Sequence, residues 1–361
     1  MKRARPTRTD PRVLIVGAGP TGLTAGVELA RLGIIPRLIE KRETASGFSR
    51  AVGLLPASME IFARSGTDAP ILAEAIRFRG ILFHRDARRV ARIPLPDPPA
   101  PPPLLGLPQD RTEHHLAETF RRLGGAVDHA TPLTGLRQTE TEVIAEIDGQ
   151  DHRFDQVIAA DGVHSTARIA LRLDFPGFDL DQDWSIADVE APDWPDPGWF
   201  QGFLMDQGRI AVVVPLEAAR FRIIADTPDA LAALPVDMPV TRMHRAGRFT
   251  LSIRQMAQYT HGRVAFAGDA AHCHSPIGGR GMNIGIADAA DLAARIAGGD
   301  VPGYHAARHP VAKRTIDLTE AARRRLTATG ALSRMTITGA LRMVALIPPL
   351  RRRLIRTLTD I

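Results

Sequence analysis

Near its start the chain carries Val13-Leu14-Ile15-Val16, a short β-branched run between Pro11 and Gly17 that predicts a buried strand. Beyond Gly22, the apolar positions Leu23, Val27, Ala30 and Leu32 recur at helical spacing up to a stop at Gly33. Arg37-Leu38-Ile39-Glu40 reads as a second strand, so this region predicts a β-α-β unit with its strands parallel. The spacing predicts a helix over Asp110–Leu123, with Asp110 and Glu113 in capping-box register, and strands at Thr141–Ile147 and Gln156–Ala160. Residues 176–262 change character: they hold Trp184, Trp194 and Trp199, and the alternating runs Ile210–Val214 and Phe221–Ala225 predict an antiparallel sheet. From Arg263 the βα style returns with Val264-Ala265-Phe266-Ala267 and helices through Ala287–Ala297 and Ala306–Thr329. Eight prolines from Pro94 to Pro108 predict an irregular connection, interdomain rather than a ligand for a proline-binding module.

These elements define an α/β fold: a Rossmann-like βαβ domain split in sequence, an inserted antiparallel-β substrate domain and C-terminal helices. The expected boundaries are 1–75, 105–175 and 263–330 for the first domain, 76–104 and 176–262 for the β-rich one, and 331–361 for a basic, apolar helical segment. A length of 361 residues with 44% hydrophobic and 24% charged residues suits such a globular chain and excludes disordered and fibrous classes. The net charge of +6 sits mainly on two tails. Lys2, Arg3, Arg5, Arg8 and Arg12 lie at one end, and Arg334, Arg342, Arg351, Arg352, Arg353 and Arg356 near the other. The body between them is slightly acidic, which argues against a nucleic-acid groove. The lone Cys273 forms no internal disulfide, and neither a signal-peptide pattern nor an apolar membrane span is evident, so a cytoplasmic protein is expected.

Three motifs carry chemistry. In Gly17-Ala18-Gly19-Pro20-Thr21-Gly22, the glycines permit a tight turn, approach of backbone to a pyrophosphate and close helix-strand packing, while the helix N-terminus offers N–H groups to phosphate. Glu40, followed by Lys41, stands where an adenosine ribose is held, and its charge disfavours a 2′-phosphate, which fits FAD or NAD better than NADP. The second motif, Asp161-Gly162 with Arg168, follows the strand ending at Ala160; on its own it reads more readily as an Asp-Gly turn than as a site. The third joins Gly268-Asp269 to Pro276, Gly279, Gly281, Met282 and Asn283 ahead of a helix. A helix N-terminus there suits negative charge on a reduced flavin.

In this order and separation, the motifs resemble those of the group A flavoprotein monooxygenases, the FAD-dependent aromatic hydroxylases related to p-hydroxybenzoate hydroxylase, from about Arg12 to Thr329. The resemblance implies that the first motif binds the ADP half of FAD, and that Arg50 and Gln109 also contact the cofactor. It further implies that Asp161, Gly162 and Arg168 serve FAD and NAD(P)H, that Asp269 holds the ribityl chain and that Pro276–Asn283 lies along the isoalloxazine. Pro276, Gly281 and Met282 then form the catalytic loop. It implies NADH or NADPH as reductant, O2 as co-substrate and transfer of oxygen from a flavin C4a-hydroperoxide to an aromatic or polycyclic substrate. The protein is then a monomer or homodimer. No second GxGxxG is present, which matches a family whose NAD(P)H binds without its own Rossmann domain.

Trp184, Trp199, Phe200, Phe203 and Met205 are candidate walls of the substrate pocket, and His84, His244 and Tyr259 candidate bases for a phenol, though packing roles suit each of them as well. His272-Cys273-His274 lies inside the third motif and does not suggest a metal site; a G-x-S-x-G elbow and the Trp-x-Trp-x-Ile-Pro signature of flavin halogenases are absent. The alternatives are a quinone-precursor hydroxylase touching a membrane surface through the C-terminal helix, and a non-catalytic FAD-binding regulatory protein.

Overall fold

The computed structural model describes residues 11–44, 51–96 and 104–359. Arg50 and five of the eight prolines lie outside the described residues. Two sheets organise the rest. The first has six strands in the order Thr260–His261, Val264–Phe266, Gln156–Ala159, Val13–Val16, Arg37–Ile39 and Val127–Asp128, all parallel except the Thr260–His261 edge. Its central strands are apolar throughout, and Leu14, Ile15, Leu38, Ile158 and Phe266 are fully buried, in one core with Leu136, Val143 and Ile147 of a separate three-stranded antiparallel sheet, Leu133–Gln138, Val143–Ile147 and Gln150–Phe154. Helices Pro20–Arg31 and Gly281–Gly298 pack on each other beside it.

The second sheet has seven strands in the order Arg242–Phe249, Trp184–Glu190, Arg220–Ala225, Ile210–Pro215, Trp199–Leu204, Gly80–Arg85 and Arg88–Pro94. Alternation along each strand divides two apolar clusters. One face carries Phe203, Val213, Phe221 and Ile223 packed with Trp194. The other carries Phe200 and Val214 against Val52 and Phe78, and Leu204 and Ile210 with Trp184 against Ile277.

Several expectations change. The capping box does not form, because Pro108 occupies the N-cap position of helix Gln109–Arg122 and places Asp110 inside its first turn. The proline-rich stretch contains a short strand, Leu105–Gly106, bonded on both sides by Gly53–Leu54 and Ile76–Arg77, since prolines flank these residues without interrupting them. The helix after the third motif runs from Gly281 to Gly298, and the next from Gly303 to Leu326. The C-terminal apolar stretch is two helices, Ala331–Leu346 and Pro348–Thr359, separated where Pro348 removes a donor.

Candidate functional site: a crevice at the carboxyl edge of the parallel sheet

Strands Val264–Phe266, Gln156–Ala159 and Val13–Val16 are neighbours, and each is followed at once by one of the three motifs. Arg37–Ile39 comes next in the sheet and delivers Glu40. Parallel strands thereby bring four sequence-distant segments to one edge, where open α/β sheets bind ligands.

The first motif fits a dinucleotide phosphate by its close approaches. Gly17 has φ +99°, and a Cβ there would lie 2.5 Å from the Ala160 carbonyl oxygen; at Gly22 it would lie 1.9 Å from the Gly17 oxygen. At Gly19, by contrast, no heavy atom of the described residues stands within 4 Å of that position, so they leave a cradle open there. Helix Pro20–Arg31 begins there with no side-chain cap and with Pro20 in its first turn, leaving backbone donors directed at the cradle. Thr21 is wedged against Gly268 and Gly285, whose Cβ positions would stand 2.5 and 2.3 Å from its Oγ1.

Glu40 is buried and accepts from the Ala18 N–H at 2.9 Å and from the Arg42 backbone N–H at 3.0 Å and Nε at 2.9 Å. Burial alone pushes its carboxyl up, and these donors reverse that, leaving it below the ordinary range. Lys41 is exposed. Gln109 accepts from Ala51 N–H at 3.4 Å and donates from Nε2 to Glu113 Oε1 at 2.8 Å, which leaves its second amide hydrogen available.

Glu113 was not singled out as a site residue from the sequence. It is buried, its Oε2 has no partner among the described residues, and burial pushes its carboxyl up to about 7, with Gln109 and Arg42 opposing and Asp110 and Glu40 reinforcing. Because the folded chain favours the protonated form, Glu113 costs stability as pH rises from the ordinary carboxylate range through about 7, and the cost levels off above it. Glu113→Gln is therefore expected to match the wild type at low pH and to exceed it at pH above about 8 by on the order of 3 kcal/mol in urea unfolding. Identical pH slopes for the two proteins would refute this.

Asp161 caps the short helix Thr166–Ala170 through Ala167 N–H at 3.1 Å, and burial raises its pKa against that bond and those from neighbouring donors. Gly162 has φ +81° with open space beside it. Arg168 is buried and stacked on Phe175, and it donates to the carbonyl oxygens of Ala270 at 2.9 Å and Val163 at 2.6 Å. Its guanidinium braces the second motif to the third.

In the third motif Asp269 is exposed at the crevice. Gly278 and Gly279 have φ of +89° and +61°, conformations that turn the loop into helix Gly281–Gly298, whose N-terminus has no side-chain cap. Met282 is buried and Pro276 half-buried. His274 donates from Nδ1 to the Ser275 carbonyl oxygen at 2.8 Å; burial lowers its pKa, and its Nε2 is unpartnered. Asn283 is fully buried and satisfied: Oδ1 accepts from Leu55 N–H and Ser58 Oγ, both at 2.8 Å, and Nδ2 donates to the oxygens of Gly53 at 2.9 Å and Gly279 at 3.2 Å. It ties the loop to the segment ahead of helix Pro56–Ala63.

Two further residues were missed. Asp288 is fully buried and accepts from Arg308 Nε at 2.7 Å and the Gly268 N–H at 3.2 Å, while His272 Nε2 lies 2.6 Å away. His272 is thus committed to a carboxylate inside the core. Arg222, also fully buried, makes a bidentate pair with Asp188 at 2.7 and 2.8 Å and donates to the Ala51 oxygen at 3.2 Å. It joins the second sheet to the segment at Ala51 that also bonds Gln109.

Of the five candidate wall residues, Trp184 and Phe200 lie on the face toward the loop, where Ile277 packs with Trp184. Phe203 and Met205 lie in the cluster on the opposite face, and Trp199 alternates to that side beneath Arg92. His84 is stacked on Phe203, away from the loop, because it pairs with that residue across the strands. His244 is paired with Glu190 at 2.7 Å, and Tyr259 is fully buried with its pKa raised by burial, so neither is placed to take a substrate proton.

A parallel α/β sheet with a glycine-rich crevice at its carboxyl edge, joined to a second, mainly antiparallel sheet, defines a dinucleotide-binding fold. The FAD binding domain family matches residues 10–227 and 227–319, and the chain belongs to that family, among the group A flavoprotein hydroxylases. It is 32% identical over 338 residues to rifampicin monooxygenase of Streptomyces venezuelae, covering 86% of this chain and 70% of that one. It is 31% identical over 353 residues to pentachlorophenol 4-monooxygenase of Sphingobium chlorophenolicum, covering 86% and 64%. The crystal structure of p-nitrophenol 4-monooxygenase from Pseudomonas putida matches its fold with a TM-score of 0.87 at 22% identity, over 97% of this chain and 98% of that one. The protein is a FAD-dependent monooxygenase.

Proposed function

We propose that the enzyme hydroxylates an electron-rich aromatic ring, either a substituted phenol or a fused polycycle, held between the 276–283 loop and the inner face of the seven-stranded sheet. The observation that carries this reading is the packing of Ile277, from that loop, against Trp184, Leu204 and Ile210 of that sheet face. An apolar wall beside a flavin loop suits a ring and excludes water. The relatives named rifampicin monooxygenase and pentachlorophenol 4-monooxygenase support an aromatic substrate.

Toward FAD, the backbone donors of Gly19, Thr21 and Gly22 take the pyrophosphate, and Glu40 takes the ribose hydroxyls, with Lys41 beside it. Gln109 offers its remaining amide hydrogen. Asp161 and Gly162 shape the crevice floor, and Gly268 and Asp269 hold the ribityl hydroxyls. Pro276, Gly279, Gly281 and Met282 line the ring, with the uncapped helix N-terminus stabilising negative charge on it. Asn283 positions these segments without touching the cofactor, since its amide already has four partners, and Arg168 braces the second motif to the third while keeping further N–H donors for the cofactor or its reductant. When bound and reduced by NAD(P)H, FAD supplies activation of O2 and transfer of one oxygen atom to the substrate.

The test is a panel of phenols and fused polycycles added to FAD-loaded protein with NADH or NADPH. At least one member is expected to accelerate reductant oxidation severalfold with formation of a hydroxylated product. FAD-loaded protein whose oxidation rate no aromatic changes would favour a non-catalytic flavin-binding role instead.

A further inference from the structure

Helix Ala331–Leu346 presents the wrong face to solvent for a soluble surface. Its inner side carries Ile337 and Leu341, packed with Ile277 and Trp184. Thr338 and Arg334 anchor it further, to Arg85 and Asp206. On the opposite side Leu332, Met335, Met343 and Leu346 are 76%, 72%, 53% and 80% exposed. At 100° per residue these four fall within one quadrant of the helix, so they form a continuous apolar stripe directed outward.

The next helix, Pro348–Thr359, is amphipathic in the complementary sense. Leu354, Ile355 and Leu358 share one half-buried side, whereas Arg352, Arg353 and Arg356 are exposed. With Pro349 and Thr357 these arginines line a groove of about 400 Å³. From Ala331 to Thr359 the sequence has six arginines and no Asp or Glu. Among the described residues, no carboxylate pairs with Arg342, Arg351, Arg352, Arg353 or Arg356.

We propose that these two helices form a docking surface for an anionic lipid bilayer, with the stripe of Leu332, Met335, Met343 and Leu346 immersed at the interface and the arginines on the headgroup phosphates. The pairing of an outward apolar stripe with uncompensated arginines selects this occupant. A second copy of the chain meeting the same surface would bring arginines against arginines with no carboxylate from either helix. The arrangement lies on the membrane rather than through it: no helix among the described residues is long and apolar enough to cross one. Because the inner side of the same helix packs on Ile277 of the flavin loop, a docked enzyme would have its substrate site next to the bilayer.

The test is co-sedimentation of the full-length, FAD-loaded protein with vesicles of phosphatidylcholine alone or mixed equally with phosphatidylglycerol. Binding is expected to the anionic vesicles only and to fall in high salt. Arg352→Gln/Arg353→Gln is expected to lower partitioning about thirtyfold, at about one tenfold step per 1.4 kcal/mol and about 1 kcal/mol per arginine. Leu332→Gln/Leu346→Gln, at exposed positions, is expected to abolish partitioning while the flavin spectrum and melting temperature stay unchanged. Absence of binding to anionic vesicles, equal binding to both kinds, or a dimer by light scattering that Leu346→Gln dissociates would each overturn the proposal.

Discussion

Gly22→Ala is expected to weaken FAD binding by about a hundredfold, equivalent to about 3 kcal/mol, and to destabilise the protein without cofactor as well. A methyl group at this position would lie 1.9 Å from the Gly17 carbonyl oxygen. Both atoms are backbone-fixed, so no rotamer relieves the overlap, and the helix must move off the strand. The matched variant is Gly19→Ala, where a Cβ meets nothing within 4 Å. It should leave the melting temperature of the cofactor-free protein unchanged and still lower FAD affinity, because its methyl group occupies the cradle. Fluorescence titration with FAD together with thermal unfolding separates the two effects. Wild-type affinity in Gly19→Ala would remove the cradle from the cofactor site.

Asp288→Ala is expected to cost about 3–5 kcal/mol of unfolding free energy, because one carboxylate serves three donors in the core. Its loss strands the Arg308 guanidinium, His272 and the Gly268 N–H, all of which now meet the Asp288 oxygens within 3.2 Å. Gly268 is the turn that places Asp269 at the crevice, so flavin retention should fall with stability. Asp288→Asn, which keeps the shape but not the charge, should lose less. Urea unfolding of the three proteins measures this; a loss below about 1 kcal/mol for Asp288→Ala would show that the cluster is not coupled to the fold.

The parts legible in the sequence were those encoded locally. A β-branched run before a glycine turn fixes both the strand and the motif, which is why Val13–Val16, Gln156–Ala159 and Val264–Phe266 were placed within a residue of their observed ends. The missed residues depend on partners far along the chain. Asp288 sits among Gly285, Ala289 and Leu292 on a small-residue helix, and only the fold brings Arg308 and His272 to it. Glu113 reads as the acid of a capping box until Pro108 takes the cap and turns it toward Gln109. Trp199, Phe200 and Phe203 carry the same apolar signal, and their alternation on one strand puts Phe200 on the opposite face from the other two; which face meets the 276–283 loop depends on how the sheet docks through Arg222 and Ala51.

The most direct measurement is isotope labelling with 18O2 of the product formed by FAD-loaded enzyme, NAD(P)H and the aromatic substrate that best stimulates turnover. One labelled oxygen atom is expected in the product ring for each NAD(P)H oxidised in a coupled turnover. Product oxygen derived from water, or consumption of NAD(P)H with all the O2 recovered as hydrogen peroxide, would contradict it.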